Sequence, residues 1–188
     1  SGTGGFTAAN AVWRSGQLLV GKSTGEIVLW DLNSGTEVST LVGRGYRGAY
    51  DAAAIGRNLF MPFGNKILGW SLDSLRPLEI REIGRSRRVD VLDTSELNRL
   101  AVSAHIDGSV RVWRSQDSEL VGVHRPQMET IASVAISPVD QIIAIGSGDG
   151  QIEIYDFENG ATMRTLTGHS GGVGAIRFSS SGSLLVSG

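Results

Sequence analysis

The chain has 188 residues and a net charge of -2 at pH 7, with 40% hydrophobic and 19% charged residues. That balance describes a folded globular chain rather than a disordered one, and the net charge excludes bulk electrostatic binding to nucleic acid. Cysteine is absent, which removes disulfides and thiolate metal sites, and no apolar run approaches the ~18 residues of a membrane-spanning helix.

Glycine contributes 26 residues and proline only 4, a turn density suited to many short strands rather than long helices. The opening Ser1–Gly5 stretch reads as a linker, without the basic and apolar regions of a signal peptide. Of the 17 basic residues only Lys22 and Lys66 are lysine. Either genomic base composition set that bias, or the planar guanidinium is being used to grip carboxylates and phosphates at two points.

From Phe6 onward, short alternating runs end in an aromatic residue. The first, EIVLWD, closes at Trp30, with Ile27, Leu29 and Asp31 facing away from Val28 and Trp30. Period-two alternation of this kind is a strand with two distinct faces. A turn, STGE at 23–26, precedes it, and another, DLNSG at 31–35, follows. The second run, KILGWS, closes at Trp70; its preceding turn is shortened and Ser71 stands where the first run has an aspartate. SVRVWR closes at Trp113 after the turn IDGS at 106–109 and ends on Arg114. QIEIYD closes at Tyr155 between the turns GDGQ at 148–151 and DFENG at 156–160. The four aromatics stand 40, 43 and 42 residues apart, so each unit holds four strands joined by hairpins. Residues 168–188, GHSGGVGAIRFSSSGSLLVSG, supply one more strand, turn and strand. Setting Ser187 on Ser103 aligns this piece with the third unit without gaps.

These residues resemble the WD40 repeat proteins. The resemblance is carried by Trp30-Asp31, Tyr155-Asp156, the Asp-Gly pairs at 107–108 and 149–150, Gly168-His169, and the stretch 131–156, which follows the family pattern almost position by position. It implies an all-β fold, a WD40-type β-propeller present as an incomplete ring of four-stranded antiparallel blades. The expected blades cover about 6–43, 44–84, 85–124 and 125–168, with a truncated fifth at 169–188. An uncovered blade interface forfeits on the order of 5–10 kcal/mol of apolar burial, comparable to the stability of a domain. The rest of the ring is therefore expected from more of the same chain, from a second chain or from a second copy.

His169 and Ser187 invite comparison with a hydrolase triad, but the resemblance implies a buried hydrogen-bonded network that links strands within a blade. Its expected members here are Trp30, Trp70, Ser103, Asp107, Trp113, Asp149, Tyr155, His169 and Ser187. Arg85 occupies the histidine position of blade three and cannot accept a hydrogen bond, so it is expected to pair with Asp107 or to swing outward. Blade four carries Gln127 and Ile145 at the matching polar positions. His105, His124 and His169 fall in three different repeats without metal-ligand spacing, and the GTGG and GHSGG runs do not follow a strand and open a helix. No metal, no cofactor and no catalytic residue is expected.

The connections into the first strands of the blades carry Arg44, Arg47, Arg85, Arg87, Arg88 and Arg125, with Tyr46 and Tyr50 beside them. This rim is either solvated surface partly paired to Asp51 and Asp90, or a docking patch for an acidic segment, a phosphopeptide or an RNA backbone. The resulting expectation is a non-enzymatic protein–protein interaction scaffold in a larger intracellular assembly, cytoplasmic or nuclear. Its partners would be other proteins, including the rest of its own propeller or a completing chain, with no small-molecule substrate. The alternative is a reader of phosphorylated or acidic peptide or RNA backbone through the arginine-rich rim, for example in a ribosome-assembly particle.

Overall fold

A computed structural model of the chain describes residues 6–12, 16–22, 26–42, 53–55, 58–63, 66–71, 73–74, 76–78, 89–95, 97–115 and 119–188. All regular structure among them is β-strand, and no helix there is long and apolar enough to cross a membrane. The first sheet contains β1 (Phe6–Val12), β2 (Gln17–Lys22), β3 (Ile27–Asp31) and β4 (Thr36–Val42). The second contains β5 (Ala53–Ile55), β6 (Asn58–Phe63), β7 (Lys66–Ser71) and β8 (Arg76–Leu78). The third contains β9 (Val89–Ser95), β10 (Leu100–His105), β11 (Val110–Arg114) and β12 (Leu120–His124). The fourth contains β13 (Ile131–Ile136), β14 (Ile142–Ser147), β15 (Ile152–Asp156) and β16 (Ala161–Leu166). A two-stranded sheet of β17 (Ile176–Phe178) and β18 (Leu185–Ser187) follows.

Within every sheet the strands pair antiparallel in sequence order, and the first strands of the second to fifth sheets pack against one another in succession. The chain therefore runs outward through each sheet and returns to start the next. The fourth sheet shows why successive sheets stack. Val134 and Ile136 of β13 with Ile143 and Ile145 of β14 point one way, into a core shared with Val102, Ala104, Val110 and Val112 of the third sheet. Ala135, Ala144 and Ile152 point the other way and meet Val173 and Ile176 of the fifth. A strand buried on both faces keeps its period of two, and here it sorts large side chains to one neighbour and small ones to the other.

Turn residues follow the same logic. Gly108 and Gly150 take φ values of 75° and 96° in the Asp-Gly turns, a region that side chains with a Cβ avoid. On the opposite edge of the sheets, Asp31 accepts the N–H groups of Asn33 and Ser34, both at 2.8 Å. Asp156 does the same for Glu158 and Asn159 at 3.0 and 2.9 Å. These bonds favour the ionised carboxylates: the backbone of Ser34 and Asn33 lowers the pKa of Asp31, and the side chain and backbone of Asn159 lower that of Asp156.

Gly146 of β14 makes room for the fifth sheet. A Cβ there would lie 2.5 Å from Ser133 Oγ, 2.8 Å from Ile176 Cδ1 and 3.0 Å from Val173 Cβ. Gly146→Ala should therefore cost about 1–3 kcal/mol through overpacking. Chemical denaturation checks this, and an unchanged midpoint would mean that the fourth and fifth sheets separate freely.

Candidate functional site: polar networks between the sheets

Ser103 and His105 lie two residues apart on β10, so both face the same way, and Trp113 of β11 stands beside them. Trp113 Nε1 donates to Ser103 Oγ at 2.7 Å, and Ser103 Oγ shares a 2.9 Å hydrogen bond with His105 Nε2. All three residues are buried. This relay needs no histidine at position 85, because β10 supplies its own imidazole two residues after the serine. The sequence showed His105 only as an isolated histidine; its spacing from Ser103 on one strand face was the available signal.

Asp107, in the turn after β10, accepts from Ser109 Oγ at 2.6 Å and Ser109 N at 3.0 Å. Arg111 and Arg125 add ion pairs at 3.4 and 3.8 Å. The Ser109 hydroxyl leads the forces that hold the Asp107 pKa below its ordinary value. In the matching turn of the fourth sheet Ser147 Oγ donates to Asp149, and Gln151 Nε2 donates to it at 3.3 Å. Asp149 is likewise lowered, first by the Ser147 hydroxyl.

His169 Nε2, in the connection before β17, and Ser187 Oγ of β18 lie 2.8 Å apart. They line a cavity of about 230 Å³ together with Ile152, Leu166, Thr167 and Gly168. The register makes Ser187 equivalent to Ser103: Ser187 pairs with Ile176 as Ser103 pairs with Leu92.

Tyr155 uses its ring instead of an indole N–H. It stacks on His124 of β12 with centroids 3.7 Å apart and planes 13° from parallel. His124 Nε2 also shares a 2.9 Å bond with Glu153, one residue pair back along β15. The sequence marked His124 only as a histidine without metal-ligand spacing and did not mark Glu153, since the contact joins residues from two sheets.

Trp30 of β3 is the exception among these aromatics: its Nε1 is buried without a hydrogen-bond partner among the described residues. Register gives the cause. Leu18 pairs with Trp30 and Val20 with Val28, just as Ala101 pairs with Trp113 and Ser103 with Arg111. Val20 thus stands where the third sheet has its serine acceptor. Trp70 sits on β7, and its side chain lies outside the described residues.

Of the arginine rim, Arg44, Tyr46, Arg47, Arg85, Arg87 and Arg88 lie outside the described residues. Arg125 is described and exposed, and its Nη1 donates to the Asp107 carbonyl at 3.0 Å. No group of three or more His, Asp and Glu side chains among the described residues is placed to hold a metal ion.

A family model described as the anaphase-promoting complex subunit 4 WD40 domain matches residues 92–181. The WD repeat-containing protein slp1 of Schizosaccharomyces pombe is 32% identical over 91 residues, 48% of this chain and 18% of that protein. The nuclear pore complex protein nup43 of Dictyostelium discoideum is 29% identical over 114 residues, 59% of this chain and 27% of that protein. The solved structure of U3-55K superposes with a TM-score of 0.82 at 16% identity, over 95% of this chain and 56% of that one. Residues 92–181 are thus similar to WD40 repeats, and the fold of the chain is that of a WD40 propeller. The sheets are WD40 propeller blades, and the chain spans well under a third of the two curated relatives and just over half of the solved one.

A further carboxylate ties blades together. Asp93 of β9 faces blade four, where its Oδ2 accepts the Ile136 N–H at 3.0 Å; Arg177 of blade five approaches its Oδ1 at 4.0 Å. Burial raises the Asp93 pKa, outweighing the Arg177 charge and the backbone donors.

Val20→Thr supplies the missing acceptor for Trp30 and should raise stability by about 1 kcal/mol. Val20→Ala, which offers no acceptor and opens a gap, should lower it; thermal melts distinguish the two. For Asp93 the raised folded-state value means that its contribution is greatest below the ordinary carboxylate range and is lost as pH rises through the folded value. Asp93→Asn keeps an acceptor for Ile136 without the charge. It should match or exceed the parent in stability at pH 7, with the difference vanishing near pH 4 in urea titrations (ordinary carboxylate pKa about 3.9). A D93N protein less stable than the parent at pH 7 would mean that Arg177 outweighs burial.

Proposed function

We propose that this chain acts as a non-catalytic protein–protein interaction scaffold, a WD40 propeller subunit or part of one within a larger intracellular assembly. WD40 relatives include a protein named for the nuclear pore complex, which supports membership in a multiprotein particle. The observation that carries the reading is the cavity beside β18, where Ser187 holds the register position of Ser103, the residue that accepts the Trp113 N–H in blade three. A partner strand carrying an aromatic N–H donor fits that position. Main-chain pairing along β18 would give affinity and the cavity would give register.

The peptide IDGSVRVWRS, residues 106–115 of this chain, is a defined probe because it holds the blade-three strand with Trp113. It should bind and protect the β18 amides from hydrogen exchange, with little dependence on salt, whereas a reader of phosphates loses affinity steeply as salt rises. The same peptide with alanine at the tryptophan, and the Ser187→Ala protein with the original peptide, should each bind at least about tenfold more weakly, the loss of roughly one good buried hydrogen bond and its packing. Equal binding of both peptides, or protection away from β18, would count against a strand-accepting scaffold.

A further inference from the structure

Blade four has lost the internal polar relay of blade three. Tyr155 replaces the indole, Ile145 replaces the serine, and Gln127 stands where blade five has His169. Something else must order the outer part of the junction between blades three and four, and the side chains there form a distinct arrangement. Glu153 is only 6% exposed, and its Oε1 accepts the Thr162 hydroxyl at 2.6 Å as well as bonding His124 Nε2. Among the described residues no lysine or arginine pairs with it, and the polar partners of its buried carboxyl group are His124 and Thr162. The His124 ring is at the same time sandwiched onto Tyr155. Its position is therefore set in two perpendicular directions, by an in-plane hydrogen bond and by face-to-face stacking.

The next residue, Arg125, turns the other way. Its Nη1 donates to the Asp107 carbonyl and its Nη2 lies 3.8 Å from the Asp107 carboxylate, both in the β10–β11 turn of blade three. Two consecutive residues thus grip two different blades, His124 holding blade four and Arg125 holding blade three. Between them begins the 125–130 connection, the described part of the rim where Gln127, Glu129 and Thr130 are exposed. Its far end is fixed as well, because Gly148 N donates to the Thr130 carbonyl at 3.1 Å.

We propose that His124, Glu153 and Tyr155 form a conformational latch between blades three and four that holds the 125–130 rim connection in place, so that releasing the imidazole frees this stretch of rim while the inner strands stay packed. The inner strands share the apolar core of Val102, Val112, Val134 and Ile143; His124 and Glu153 are not part of it, while Tyr155 and Met128 pack against its margin. Opening is local because the imidazole–carboxylate bond lies outside that core, with His124 at the end of β12 and Glu153 on β15.

Hydrogen exchange measured peptide by peptide on the whole protein tests this. His124→Phe keeps a ring on Tyr155 but leaves Glu153 without its imidazole; it should speed exchange across 125–130 by about tenfold or more while β9 and β10 exchange as in the parent. Adding Glu153→Gln removes the stranded charge, so H124F/E153Q should return most of the protection. Tyr155→Leu removes the stacking surface yet keeps both hydrogen-bonding groups, and it too should open 125–130 ahead of β9 and β10, which covers the case where H124F does not fold. Parent-like exchange at 125–130 in H124F or Y155L overturns the latch. So does a uniform rise over all strands, or a double variant that exchanges as fast as H124F.

Discussion

Everything in this structure depends on burying both faces of each sheet against its neighbours. A four-stranded sheet standing alone would leave one or both apolar faces in water, and stacking removes that exposure without a helix anywhere in the described residues. The packing is specific because the strand period is two. Strands β13 and β14 of blade four give isoleucine and valine to blade three and alanine and glycine to blade five, where Ile152 of β15 also packs. A one-residue slip in β14 would turn Ile143 and Ile145 toward the side where Gly146 now admits Ile176 and Val173.

Burial on both sides also decides the fate of every polar group between blades. Such groups have no water to fall back on, so each blade needs a local solution. Blade three uses a serine, an imidazole from the same strand and an indole. Blade four abandons the indole and recruits His124 from its neighbour to stack on Tyr155 and bond Glu153. Blade one keeps the tryptophan but has Val20 in place of an acceptor, and the indole N–H stays unpaired. One backbone register thus accommodates three side-chain chemistries. The blades are equivalent in pairing and unequal in the side chains that hold them.

Much of this was legible in the amino-acid order. The aromatics at 30, 70, 113 and 155, the alternation before each, and the Asp-Gly turns point to repeated four-stranded units because strand period and turn chemistry are local properties. The turn-capping role of Asp31 and Asp156 is equally local, spanning two or three residues. Ser103 with Trp113, and His169 with Ser187, stand at positions that a repeat alignment picks out, and the structure brings the members of each pair within hydrogen-bonding distance. What alignment against a repeat does not supply is a partner from outside the pattern. Arg85 at the histidine position read as a break in blade three, whereas the imidazole comes from His105, two positions beyond Ser103 on the same strand.

The sequence by itself determined the all-β class, the repeat length, the turn positions and which residues of each strand face inward, since those follow from periodicity and backbone preference within a few residues. Only the tertiary structure decided which side chains meet across blades: His124 with Glu153 and Tyr155, Asp93 with the Ile136 amide, Arg125 with Asp107. These partners are separated by 18 to 43 residues in the chain, and their contact depends on how two independently patterned sheets are rotated and spaced. That spacing is set by the summed volumes of the side chains packed between them, a property no single strand carries.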